Sequence, residues 1–428
     1  MAKEKIGIIT LGCSKNTVDS ERLASQIKLN NLDLVENIEN ADTVIINTCG
    51  FIDAAKEESV NTILEASELK KQGSIKKVIV AGCLSERYMD ELKTELTEVD
   101  SFHGTEDYEG ILRQFGGNLK DELLGERELS ESKHYAYLKI SEGCDNPCSF
   151  CAIPLMRGKH ETKSIESLVD ESKRLADKGV KELIIIGQDT TDFGKELYGK
   201  RVLGELLNQL SDINGIEWIR LLYAYPSHFP EDAMHIIAEN PKVCNYIDMP
   251  LQHISDKVLK SMRRGITKRR TVELIETLKD IIPNLTLRTT FIVGYPAETK
   301  KEFEELCEFI KETKFDRIGV FNYSVEENTP SYILGDTISA EEKEERKSII
   351  MELQRDISLN KNQTLVGSEQ KVIIDGIEGE YYIGRTSRDA PEVDGEVLIK
   401  SDSMLNIGDF YGVKIYDCDE YDLFGKLK

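Results

Sequence analysis

No stretch of this 428-residue chain is apolar for long enough to cross a membrane, and its opening, MAKEKIGIIT, lacks the apolar core of a secretory signal. Both absences lead to the expectation of a cytoplasmic protein with no membrane partner. Positive charge is also short: 55 Lys and Arg stand against 78 Asp and Glu, a net charge of −23. Such a surface repels phosphate backbones, which argues against direct nucleic-acid binding and for a basic partner. Tandem repeats and low-complexity tracts are missing too, which leaves an ordinary globular chain too long for one domain.

Short apolar runs alternate with helical patterns. KIGIITLG (5–12), TVIINT (43–48) and KKVIVAG (76–82) are hydrophobic throughout, as strands buried on both faces are, and amphipathic segments such as 53–72 lie between them. This βαβ order predicts a doubly wound amino-terminal domain over 1–122, followed by a polar linker around 116–133. From Tyr135 the alternation restarts, with strands at 135–141, 182–188, 218–226, 246–250, 285–294 and 317–324. An incomplete (β/α)6 barrel over 131–360 fits this regularity, closed by a charged helix at 338–363. Residues 363–428 carry short alternating strands and turns, which predicts a small antiparallel β-barrel.

Nine cysteines in a reducing compartment point to metal ligation rather than disulfides. Cys144, Cys148 and Cys151 follow the strand YAYLKIS at the spacing C-x3-C-x2-C, with no fourth cysteine. Three thiolates on one loop suit a [4Fe–4S] cluster whose remaining iron stays open for an exogenous ligand. A zinc loop with a distant fourth ligand, or buried packing thiols, are the competing readings. A second triplet lies upstream: Cys13, Cys49 and Cys83 each follow a predicted parallel strand closely. In an open α/β sheet the carboxyl ends of the strands share one edge, so these thiols are expected within reach of one another. Chance burial of strand-end cysteines is the alternative. Cys244, Cys307 and Cys418 form no pattern and are expected in the core.

The C-x3-C-x2-C motif with Phe150 before its last cysteine resembles the radical S-adenosylmethionine superfamily. There the open iron chelates the cofactor's methionine moiety, and one electron cleaves the cofactor to a 5′-deoxyadenosyl radical. By the same resemblance, Gln188 and Asp189 in IIIGQDTTDFG are expected at the methionine amino group, and Gly294 in TTFIVGYPAET beside the adenine. A second tricysteine site, a radical barrel and a small carboxy-terminal β-barrel resemble the methylthiotransferase family over nearly the whole chain, the last unit looking like its TRAM domain. That resemblance implies two [4Fe–4S] clusters, S-adenosyl-L-methionine, and a reducing electron donor. The radical would abstract hydrogen from an unactivated carbon, and the auxiliary cluster would present sulfur.

The family divides by substrate. LGCSKNTVDSE (11–21), IGQDTTDFG and GRTSRDAPEVDG (384–395) resemble the RimO branch, which methylthiolates the β-carbon of an aspartate of ribosomal protein S-twelve. Methylthiolation of a transfer-RNA adenosine beside the anticodon is the alternative within the family, and a non-catalytic iron–sulfur or RNA-binding adaptor the alternative outside it. Residues 361–428 hold eight Lys and Arg against fourteen Asp and Glu, so the last barrel suits a basic protein better than RNA. Asp389, Glu392 and Asp394 are expected to steer that protein, and the basic run SMRRGITKRR (261–270) is read as a solvated helix end.

Overall fold

A computed structural model describes residues 4–130 and 132–428. The chain forms two compact units, the first comprising Met1–Glu131, Tyr137–Asp145 and Cys151–Leu175, the second Ser132–Ala136, Asn146–Phe150 and Ala176–Lys428. Among the described residues no helix is long and apolar enough to cross a membrane.

The first unit is built on a parallel five-stranded sheet, in spatial order Asp33–Leu34, Lys5–Thr10, Thr43–Thr48, Lys77–Gly82, Ser101–Phe102. Its three central strands are apolar at successive positions because both faces are covered. Val44, Ile46, Val78 and Val80 pack with Ile63, Ala66 and Leu84, while Ile45 and Ile79 pack with Leu23, Ile27 and Leu112 on the other side. Each such aliphatic side chain contributes on the order of 1.5–3 kcal/mol when fully buried. The polar stretch around 116–133 is not the free linker its composition suggests. Arg127 within it is only 1% exposed, bonded to Glu21, to Glu171 and to the Tyr137 carbonyl.

The second unit carries a six-stranded sheet ordered Arg317–Asn322, Thr286–Val293, Val243–Asp248, Trp218–Leu221, Glu182–Ile186 and Tyr135–Lys139, the last strand beginning in this unit. Each strand neighbours its predecessor in the chain, as in a (β/α) barrel, but the sheet is open rather than closed on itself. The helix Ala340–Gln363 lies along its far edge, where Gln354 donates to the Phe315 and Asp316 carbonyls at 3.2 Å. Residues Glu369–Leu427 then form a closed five-stranded barrel with Val372, Ile374, Val397, Val413, Ile415 and Leu423 inside.

In the acidic loop of this small barrel the side chains of Asp389 and Asp394 are buried in ion pairs, which takes these two out of the steering role expected of them, while Glu392 stays exposed. Asp389 is 3% exposed and accepts hydrogen bonds from Arg317 and from the Thr386 hydroxyl, both at 2.7 Å. Asp394 accepts from the Tyr246 hydroxyl at 2.6 Å, and burial pushes its carboxyl up. Tyr135 donates to Glu392 at 3.0 Å. Arg317 and Glu182 open their strands, so the small barrel docks at the amino-terminal end of the open sheet through buried charge pairs. Replacing Asp389 with alanine strands Arg317 and is expected to cost about 3 kcal/mol in chemical denaturation. Unchanged stability with slower substrate association would restore the steering role.

Candidate functional site

The register of the first sheet decides where its cysteines go. Thr10, Asn47 and Ala81 lie side by side on adjacent strands, so the loops that follow emerge at one edge. Cys13 caps the helix Ser14–Leu29, Cys49 follows Thr48 directly, and Cys83 opens the helix Cys83–Glu95. Gly12, at φ +94°, lets the first loop close on the second: a Cβ there would sit 2.9 Å from the Cys49 sulfur. Asn16 ties the loops together, donating to the carbonyls of Leu11 at 2.7 Å and Thr48 at 3.0 Å, with its Oδ1 3.9 Å from the Cys83 sulfur.

Burial pushes the Cys49 thiol up and the Cys83 thiol up to about 12, and the neighbouring thiols add to the rise at both. Buried thiols of this kind are poor anions alone and become thiolates when a metal replaces the proton. Arg157 compensates them from the side. It donates to Asn16 at 2.6 Å and to Asp19 and Glu142 at 3.0 Å, and it partly offsets the rise at Cys83. Among the described residues, only Asp19, Glu106 and Glu142 bring three ligand atoms within 4.8 Å of one another. That acidic trio is already filled by the Lys139 ammonium, 2.8 Å from Glu106.

The second triplet sits on the loop after Tyr135–Lys139, all three residues half-buried. Within the first unit, a short antiparallel pair, Ser141–Glu142 with Glu161–Thr162, closes the base of this loop, and the Cys144 amide donates to the Gly158 carbonyl at 3.2 Å. Ala152 and Met156, just past Cys151, pack directly against Cys83. The end of one cysteine motif thus rests on the end of the other. In the second unit, Ser149 is held by the Met262 and Ser261 carbonyls at 2.9 Å and by the Tyr295 hydroxyl at 3.1 Å. Phe150 packs against Val258, Met262, Tyr295 and Tyr323, an anchoring contact for the loop.

The expected cofactor contacts fall as follows. Asp189 is buried and accepts from Asn146 at 2.6 Å and from the Thr191 amide and hydroxyl at 2.9 and 2.6 Å. It ties the strand end Glu182–Ile186 to the cysteine loop. Gln188 beside it is half-buried. Gly294 takes φ +76°, and a Cβ there would lie 2.3 Å from the Lys343 stem, so packing alone already calls for glycine. The Lys343 ammonium runs past it to the Tyr323 carbonyl at 2.9 Å.

Sequence reasoning passed over four residues that hold the two sites: Asn16, Asn146, Arg157 and Arg264. Arg264 lies in the run read as solvated, yet it is 4% exposed, with Nη1 3.2 Å from the Cys148 sulfur. Cys244 and Cys307 are buried as expected, with burial pushing each up to about 11, whereas Cys418 is only half-buried.

Residues 138–310 match the radical SAM superfamily, 5–104 the uncharacterized protein family UPF0004, and 366–427 the TRAM domain. A protein of Cytophaga hutchinsonii named ribosomal protein uS12 methylthiotransferase RimO is 52% identical over 99% of this chain and 98% of its own length. The protein of that name from Chloroherpeton thalassium is 53% identical over 99% of both. Among solved structures, the radical S-adenosylmethionine methyltransferase TsrM of Kitasatospora setae aligns over 88% of this chain and 79% of its own, with a TM-score of 0.56 and 12% identity. That likeness extends to the fold.

Proposed function

The chain belongs to the RimO family within the radical S-adenosylmethionine superfamily, and on that premise we propose that it transfers a methylthio group to the β-carbon of an aspartate of ribosomal protein uS12. Superfamily membership brings one [4Fe–4S] cluster and S-adenosyl-L-methionine. A second [4Fe–4S] cluster at Cys13, Cys49 and Cys83 is our own assignment, and so are Cys144, Cys148 and Cys151 as ligands of the first. When bound, the first supplies the electron that cleaves S-adenosylmethionine and the second supplies sulfur.

The protein's part is positional. The strand ends hold each triplet at the carboxyl edge of its sheet, Ser149 and Phe150 pin the radical loop, and Asp189 with Asn146 fixes its entrance. We assign Gln188 and Asp189 to the methionine end of the cofactor, with Phe150 and Gly294 shaping the wall around it. The chain divides into functional modules at 1–122, 131–360 and 363–428, a reading supported by the three separate family matches. We assign the enzyme to the cytoplasm, which a ribosomal-protein substrate supports, and assign its electrons to a reducing partner.

One observation carries the proposal: both tricysteine sites are intact in a chain about half identical, end to end, to proteins named for this reaction. The net charge of −6 over residues 361–428 agrees, although the individual acids at Asp389 and Asp394 are spent on internal pairs. Incubating the reconstituted enzyme with uS12 and, separately, with transfer RNA, followed by mass spectrometry, tests it. A methylthio mass gain is expected on the aspartate. A gain on adenosine alone overturns the substrate assignment.

A further inference from the structure

We infer that Arg264 supplies the positive charge that compensates the cluster held at Cys144, Cys148 and Cys151, and so raises its reduction potential. The inference rests on the assignment of Cys148 as a cluster ligand.

The geometry around Arg264 is over-determined. Nη1 lies 3.2 Å from the Cys148 sulfur, and Nη2 donates to the Pro250 carbonyl at 2.5 Å. The guanidinium sits 4.2 Å from the centre of the Tyr225 ring, and the Tyr225 hydroxyl closes the arrangement by donating to the Arg264 carbonyl at 2.5 Å. The same hydroxyl lies 3.8 Å from the Cys148 sulfur. Nε is buried without a hydrogen-bond partner, so the side chain is not placed to satisfy every donor. It is placed to aim one nitrogen at sulfur.

Charge makes the stronger case. Arg22, Arg127, Arg157, Arg220, Arg346 and Arg385 are all buried, and each holds a carboxylate. Arg264 is as buried as these, and among the described residues it makes no ion pair with an acid. An uncompensated guanidinium is costly to bury unless an anion faces it. The group it faces is Cys148, which becomes anionic when it ligates iron. A charge-assisted hydrogen bond to a ligand sulfur stabilises the cluster more after it gains an electron than before, because the added negative charge is shared with that sulfur. The arginine thus eases the reduction that every turnover requires.

The test uses full-length protein reconstituted with iron and sulfide, as wild type, Arg264→Lys and Arg264→Met. Iron content and circular dichroism report assembly and folding. An electron paramagnetic resonance redox titration, following the signal that changes on adding S-adenosylmethionine, reports the midpoint of the radical cluster. Arg264→Met is expected to shift that midpoint to more negative potential, and Arg264→Lys to recover most of the shift. Iron loss in Arg264→Met alone, with the fold kept, also supports the inference, since charge is then needed to retain the cluster at all. A wild-type midpoint in Arg264→Met with full iron overturns it, as does loss of iron or fold in both variants, which assigns Arg264 to packing. Failure of the underlying assignment looks different: Cys148→Ala would then keep its full complement of iron.

Discussion

Replacing Cys148 with alanine is expected to reduce 5′-deoxyadenosine formation to background while leaving the protein folded, whereas Cys49→Ala should keep that activity and lose the methylthio product. The contrast follows from where each cysteine sits. Cys148 is half-buried on a loop pinned by Ser149 and Phe150, so the loop keeps its anchors when the sulfur is removed. What is lost is one of three ligands, and two thiolates do not hold a four-iron cube. Cys49 belongs to the other sheet, fixed by Ser59, which accepts from its amide at 3.0 Å and donates to its carbonyl at 2.9 Å. Those backbone bonds survive an alanine, so the edge keeps its shape without its middle ligand. Product analysis by liquid chromatography and mass spectrometry, with iron content measured on each variant, distinguishes the two. Retained sulfur insertion in Cys49→Ala would remove the auxiliary site from the mechanism.

The parts of this molecule that were legible beforehand are those where local pattern and long-range structure coincide. Strands buried on both faces carry unbroken apolar runs, so Thr43–Thr48 and Lys77–Gly82 declared themselves through Val44–Ile46 and Val78–Ala81. Parallel strands share an edge, so cysteines placed after three of them converge without further information. The illegible parts are charged residues whose partners lie far away in sequence. Arg264 sits in a run of four arginines and one lysine within 261–270 that composition reads as solvent-facing, and its partner is 116 residues upstream. Arg127 occupies a polar stretch that composition reads as linker, yet it meets Glu21 across 106 residues. Asp389 lies in a turn-like sequence and reaches back 72 residues to Arg317. No window on the sequence contains both members of such pairs, and a charge run is a solvated surface unless something pairs it. The errors therefore fell at buried charged side chains with distant partners, among them Arg264 on the cysteine loop and Asp389 in the last barrel.

Glu171→Gln is expected to be the most destabilising of the charge substitutions, and to flatten the acid limb of the stability curve. Glu171 is 3% exposed, 2.9 Å from Arg22 and 3.3 Å from Arg127, which is itself 1% exposed. Burial alone would raise its carboxyl. The guanidinium of Arg22, with help from Lys163 and Arg127, outweighs burial and pulls it from the ordinary 4.5 down to about 2. A carboxyl held below its unfolded value stabilises the fold fully above pH 4.5, and that contribution is lost progressively as pH falls toward 2. The shift corresponds to about 3 kcal/mol at neutral pH. Glutamine keeps the shape and removes the charge, so Arg22 loses its closest carboxylate and Arg127 is left to Glu21. A cost of roughly 3–5 kcal/mol is expected for such a broken buried pair. Denaturant melts of the wild type from pH 7 down to pH 3 should show stability falling below about pH 4.5. The variant should start lower and change less over the same interval. Equal slopes for the two proteins would show that the acid limb belongs to other carboxylates, and that Glu171 is not the charge on which the first unit depends.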